Sequence, residues 1–358
     1  MPPWSAPARK APRLPEAIDI EDPVALVAYL RRTRRIGSGE QPRVHNLQGG
    51  VSNRTVAVER ESGEAWVLKQ ALSKLRVPVD WFSSPERIHR EALGLEWLSR
   101  LVPRGATTPL LFEDHEQHLL AMQAVPQPHE NWKSVLLAGR TEAGHFRQFA
   151  ALLAAIHREG ARRRAELEKI FADRSFFESL RLEPYYGYSA QQAPDAADFL
   201  NSLIRETLAR RITLVHGDYS PKNILIYEGR LVLLDHEVIH FGDPAFDLGF
   251  SLTHFLSKAH HLPARRRDFL ALANEYWRVY AAELGAPEWA EDLEPRAVRH
   301  TLGCLLARVA GRSPLEYLDP EERARQRDAV LSIAPAAPAR IPHLISQFEE
   351  SLCRSSSV

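Results

Sequence analysis

The sequence predicts an α+β chain in two lobes: a small first lobe with an antiparallel sheet and one key helix, then a larger, mainly helical second lobe. Three observations predict it. At 358 residues the chain is longer than the roughly 250 to 300 residues at which a single core stops growing. In its first third apolar residues alternate along strand-like runs punctuated by turn pairs. In the remainder they recur at helical spacing, broken by two short apolar strands that end in polar loops.

Taken in order, residues 1–20 are rich in Pro, Ala and basic residues and lack the continuous apolar run of a signal peptide or membrane span, so they read as a flexible arm. Residues 21–125 form the first lobe and 126–358 the second. Val24, Leu26, Val27 and Leu30 sit at helical spacing behind an acidic start. A hairpin follows about Ser62 and Gly63, entered through Gly49 and Gly50. The next helix is predicted with Ser84 as N-cap, Pro85 at its first position and Glu86 in its first turn. A strand pair, Leu110 to Phe112 and His118 to Val125, precedes Pro126 and Pro128, where the chain crosses between lobes. Beyond it Phe146, Phe149, Leu153 and Ile156 mark a long helix, and the short strands Ile212 to Val215 and Leu231 to Leu234 carry the polar loops.

Composition narrows the function classes. Basic and acidic residues balance at 46 each, so no global field steers the chain to nucleic acid or an anionic membrane, and a small-molecule partner is expected. Cys304 and Cys353 make neither a disulfide framework nor a zinc site, which fits a reducing cytoplasm.

The chemistry concentrates in LVHGDYSPKNILI, which reads H-G-D-x-x-x-x-N and supplies His216, Asp218 and Asn223, and in the strand end that brings Asp235 across a predicted hairpin. Phosphoryl transfer asks for a carboxylate near the attacking hydroxyl and oxygen ligands that hold magnesium on the phosphates. Asp218 suits the first task, Asn223 and Asp235 the second. In the first lobe AWVLK alternates faces, so Val67 and Lys69 share one side, Val67 toward an adenine and Lys69 toward phosphates. Glu91 lies on the apolar stripe of Ile88, Leu95 and Leu98, and a carboxylate facing a core requires a cation such as Lys69. Gly49, Gly50, Ser52 and Asn53 offer backbone N–H groups to cover phosphates, with a plain hairpin turn as the other reading. The backbone of Met122 to Val125, including Gln123 and Val125, is where a base would lie.

HGDYSPKN, LLDHE and HFGDPAFDLG together resemble the aminoglycoside phosphotransferase and choline kinase family, distant relatives of protein kinases. The resemblance implies a protein-kinase-like fold, ATP and Mg2+ as cofactors, and transfer to a hydroxyl of a sugar, amino alcohol or antibiotic. It also implies that Asp247 ties down the catalytic loop and that His216 is structural. The run VLKQALSKLRVPVDWFSSPERIHREA and the pair Asp235 and Glu237 are similar to methylthioribose kinases, which would make Glu237 a further metal ligand; the other reading is a loop carboxylate facing solvent. That branch replaces the asparagine that Asn223 retains here. A nucleotide-binding pseudokinase remains the alternative, but it should lack one of Lys69, Asp218, Asn223 or Asp235. The short span from Asp235 to Asp247 leaves no platform for a protein substrate.

Overall fold

The computed structural model describes residues 18–47, 50–77 and 80–354. Five strands, β1 (Arg43–Asn46), β2 (Asn53–Glu59), β3 (Ala65–Ala71), β4 (Leu110–Asp114) and β5 (Leu119–Gln123), build an antiparallel sheet in the order β1-β2-β3-β5-β4. The β2–β3 turn requires a left-handed residue, and Gly63 supplies it at φ +87°. Both faces of the sheet are covered. Helix α1 (Pro23–Arg32), capped by Asp22 whose carboxylate accepts from Val24 N at 2.9 Å, packs Leu26, Tyr29 and Leu30 against Val56, Val58, Trp66 and Leu68. Helix α2 (Arg87–Leu101) covers the other face with Ile88, Ala92 and Leu95. The alternation along β3 is as expected, with Trp66 and Leu68 in the α1 core and Val67 on the α2 side.

Two expectations are corrected here. Helix α2 begins at Arg87, because Ser84 caps a single tight turn, its hydroxyl accepting from Glu86 N at 3.3 Å and its carbonyl from Arg87 N at 3.3 Å. The arm expected over residues 1–20 is docked from Ile18 onward: Ile18 N donates to the Gln117 side chain and Gln70 donates to Ile18 O, both at 2.9 Å, and Ile20 is fully buried. Residues 1–17, Gly49 and the last four residues lie outside the described set.

After Gln123 the chain leaves the sheet and reaches β6 (Glu130–Asn131), which pairs with β8 (Ile224–Tyr227) and so joins the helical part; β8 pairs in turn with β9 (Arg230–Leu233). A second short ladder joins β7 (Thr213–Val215) to β10 (His240–Gly242). The principal helices of this part are α3 (Trp132–Leu137), α4 (Ala143–Arg162), α5 (Ala197–Ala209), α6 (Ala245–His261), α7 (Arg266–Leu284), α8 (Leu293–Ala310), α9 (Pro320–Ile333) and α10 (Ile341–Arg354). Trp132, Phe146, Phe149 and Phe255 interlock at one end of this core. Helix α6 is buried from Ala245 to His260, so it runs through the interior of the helical part with polar side chains such as Asp247, Ser251 and Lys258 enclosed. Among the described residues no helix is long and apolar enough to cross a membrane.

Candidate active site

The strand ends β7 and β9 and the sheet of the first lobe meet at one cleft of about 480 Å³. Gly50, Ser52, Asn53 and Val67 form its roof and Gln123 and Val125 its back, while Lys69, Asn223 and Asp235 reach it with charged or amide groups. Among the described residues Val125 N–H takes no hydrogen-bond partner, whereas Gln123 N and Ala124 N are bonded to Pro109 O and Ala65 O at 2.9 Å each. Another hollow of about 640 Å³ lies between α9 and α10 and holds none of these groups.

Lys69 Nζ stands 2.6 Å from Glu91 Oε1 and 3.1 Å from Asp235 Oδ1, so one ammonium joins β3, α2 and the loop after β9. Burial pulls Lys69 toward neutrality, but Asp235 and Glu91 outweigh it and hold the ammonium above its ordinary range. Burial likewise pushes Glu91 up, against the pull of Lys69. For Asp235 the cations Lys69, Lys222 and Arg181 overcome burial and keep it ionised. Its backbone adopts φ +66°, a conformation asparagine and aspartate tolerate better than most residues. Helix α2 lies close against this loop because position 94 is glycine: a Cβ there would sit 2.6 Å from His236 Cβ.

Glu237 is 4% exposed and turned toward Arg87, whose Nε lies 3.1 Å away, with Asn53 Nδ2 at 3.4 Å. Arg87 is itself fully buried and also donates to the carbonyls of Ser83, Ser84 and Leu72.

The loop after β7 hangs on Asp247, at the start of α6. Its carboxylate accepts from His216 N at 2.7 Å and Gly217 N at 2.8 Å, and from His157 at 3.3 Å, while His157 Nδ1 meets Tyr280 OH at 2.7 Å. Gly217 carries φ +77° and its absent Cβ would meet Val238 at 2.9 Å, so no other residue fits this approach. Asp218 N donates to His216 Nδ1 at 3.2 Å, which leaves the His216 proton on Nε2, donated to His236 Nδ1 at 3.1 Å. Burial lowers the pKa of both rings, so the pair is neutral.

Asp218 itself is fully buried. Its Oδ2 is crowded by Lys222 Nζ at 2.8 Å, Asn223 Nδ2 at 2.8 Å and Arg181 Nη2 at 2.9 Å, whereas Oδ1 has no partner among the described residues. Burial raises the Asp218 pKa, but Arg181 and Lys222 more than reverse this and hold the carboxyl below its usual range. Because Asn223 turns its amide nitrogen to Asp218 O and Oδ2, its carbonyl oxygen is left for the cleft it lines. That oxygen and the Asp235 carboxylate are hard donors of the kind that could hold a divalent cation.

The sequence reading names Lys69, Glu91, His216, Asp218, Asn223, Asp235, Glu237 and Asp247 but assigns no role to Arg87, His157, Arg181, Lys222, His236 or Tyr280, which the structure adds to the cluster. Lys222 sits inside the quoted motif. Arg87 precedes Glu91 by one helical turn, on the buried stripe, which was a usable signal. Arg181 lies on Glu178–Gly187, a segment of widened helical turns around Pro184, where a period of 3.6 cannot assign facing.

Residues 43–291 match the APH phosphotransferase enzyme family. A methylthioribose kinase of Pectobacterium carotovorum is 23% identical over 327 residues, 80% of this chain and 81% of that one. Among solved structures, an amicoumacin kinase in complex with AMP-PNP and Ca2+ aligns with a TM-score of 0.56 at 14% identity, covering 88% of this chain and 95% of that one. An ethanolamine kinase of Plasmodium vivax aligns at 0.52 and 11% identity, covering 95% and 89%. The apoenzyme of a macrolide 2'-phosphotransferase from Brachybacterium faecium aligns at 0.50 and 18% identity, covering 86% and 97%. The structural likenesses carry the fold, and the family match covers the sheet, the cleft and the catalytic loop alike: the chain belongs to the phosphotransferase enzyme family.

Proposed function

We propose that this small-molecule kinase moves the γ-phosphoryl group of ATP, bound with magnesium, to a hydroxyl of a small acceptor, with Asp218 as the base. The observation that carries the reading is the asymmetry of Asp218: three donors fix Oδ2 while Oδ1 is buried and unpartnered. A bare carboxylate oxygen in a buried site is costly unless a ligand group supplies its hydrogen bond, and an acceptor O–H is such a group.

The roles follow from position. Lys69, held by Glu91, meets the phosphates of the nucleotide, whose base lies along Val67 and the Gln123 to Val125 backbone. Asn223 and Asp235 would hold the metal, which would neutralise charge on the phosphates. Glu237, already engaged by Arg87 and Asn53, is assigned to bracing the Asp235 loop and the phosphate-covering turn, with metal binding as the second reading that its sequence motif favours. Asp218 is ionised at neutral pH, so it orients the hydroxyl and accepts its proton as the acceptor oxygen bonds to phosphorus and the bond to the β–γ bridging oxygen breaks. ADP and the phosphorylated acceptor leave.

The test is to incubate the chain with ATP and Mg2+ against a panel of sugars, amino alcohols and antibiotics, reading ADP formation and phosphorylated product by mass spectrometry. Acceptor-dependent ADP release with one added phosphoryl group supports the reading. ATP binding with no transfer to any acceptor, or ADP release that ignores the acceptor, overturns it.

A further inference from the structure

We propose that the acceptor carries a negative charge, a carboxylate or phosphate that docks on Lys258 and Arg308 while its hydroxyl meets Asp218. This rests on the kinase reading above and narrows its substrate class.

Among the described residues five lysines or arginines are no more than 6% exposed as whole residues: Arg87, Arg181, Lys258, Arg296 and Arg308. Three of them end on carboxylates, Arg87 on Glu237, Arg181 on Asp218, and Arg296 on Asp243 at 3.1 Å. Lys258 and Arg308 do not. Lys258, fully buried, has one long hydrogen bond to His254 O at 3.4 Å and lies 5.3 Å from the Tyr317 ring centroid. Arg308 donates to Ser313 O at 2.8 Å, approaches His254 Nε2 at 3.4 Å, and leaves its Nε unpartnered. Tyr317 OH is also buried without a partner. Glu316, the nearest carboxylate of this region, is paired with Lys133. Burying a cation without a counter-ion costs several kcal/mol, so a cluster kept this way is waiting for an anion.

The cluster is continuous with the catalytic loop. Ser251, His254 and Lys258 lie on one face of α6, and Ser251 Oγ donates to Tyr219 O at 2.9 Å, beside Asp218. Lys258 therefore stands about 10 Å along the helix from that anchor, at 1.5 Å per residue. From the other side, Arg308 and Arg181 approach the same Tyr185 ring at 5.1 and 5.8 Å, and Arg181 touches Asp218. Lys133, Lys222, Lys258 and Arg308 all act on His254, which together with burial keeps that ring neutral. Burial and Lys133 also depress Lys258, to about 7, so a docked anion would restore its full charge. Lys133, Lys258 and Arg308 outnumber the single carboxylate Glu316 here, so a polycationic acceptor is disfavoured.

The substrate arm compares kcat/KM for ribose, ribonate, ribose 5-phosphate and glucosamine. The expected result is at least a tenfold preference for ribonate or ribose 5-phosphate over ribose, with glucosamine below it; which of the two wins separates carboxylate from phosphate. The binding arm needs no substrate: inorganic phosphate added to the full chain loaded with AMP-PNP and Mg2+ should raise Tm, and Lys258→Met should abolish that shift. Lys258→Met should also raise the Tm of the ligand-free chain by about 2 °C or more, because the replacement removes an uncompensated charge. A fall in Tm with an unchanged phosphate response overturns the proposal, as does transfer to neutral or cationic acceptors alone. Phosphate binding at Lys258 without transfer to any acceptor would leave the anion site standing and defeat the kinase reading instead.

Discussion

The floor and the mouth of the loop after β7 each hold a fully buried aspartate, and the two are bonded in opposite ways. At the floor, Asp247 has both oxygens on backbone N–H groups, with His157 and Tyr280 closing the network behind it. At the mouth, Asp218 has one oxygen held by Arg181, Lys222 and Asn223 and the other bare. Complete satisfaction fixes a backbone; incomplete satisfaction next to a cleft reserves a bond for a ligand. Of two carboxylates that touch one loop, the less satisfied one is therefore the better candidate for chemistry.

Replacement at the mouth should have the largest effect and the narrowest. Asp218→Asn is expected to lower kcat about 10³-fold, within the range of general-base contributions, while leaving nucleotide affinity within about twofold, because the base acts on the acceptor. Loss of ATP binding in a calorimetric titration would break the division of labour between mouth and cleft. At the floor the effect should move to stability. Asp247→Asn sets an amide N–H against donors of the loop, and about 3 kcal/mol is expected to be lost, read as a lower denaturation midpoint at unchanged slope. A variant as stable as the parent would show that the floor is not what holds the loop.

A third replacement sharpens the boundary between loop and cleft. Asp235→Ala removes a proposed metal ligand and one of two carboxylates on Lys69, so the Mg2+ concentration for half-maximal activity should rise about tenfold or more. An unchanged magnesium dependence would leave Asp235 only its ion pair with Lys69.

The sequence made the mouth more legible than the walls around it. H-G-D-x-x-x-x-N carries its residues on one short loop, so their convergence is local, and the Lys69 and Glu91 pair follows from strand alternation and a helical stripe. Arg181 reaches Asp218 from a segment whose widened turns erase the usual period, and Arg87 meets Glu237 across 150 positions. Gly94 in α2 marks a close approach to His236 that no local pattern in the sequence signals. The even charge balance hid the cation cluster of Lys258 and Arg308, since composition sums over the surface and says nothing of which charges are buried unpaired.

The smallest effect separates the two regions by pH. Burial lowers the pKa of His216 and His236 near the loop, of His240 to about 4 and of His300 to about 3. A histidine whose folded pKa lies below its unfolded value of about 6.5 contributes stability that is complete above that value and is lost as pH falls toward the folded one. A shift of the size at His240 costs about 2 kcal/mol by pH 5. Asp218 and Asp247 are also depressed, but from near 3.8, so their contribution is intact until pH falls below about 4. Melting curves should therefore show Tm falling between pH 6.5 and 5, while Asp218 and Asp247 are still ionised. His240 stacks on Phe177 at 4.0 Å, and His240→Phe should flatten part of that decline. A Tm that holds to pH 5 and then drops below pH 4 would place acid sensitivity in the aspartates and not in the buried rings.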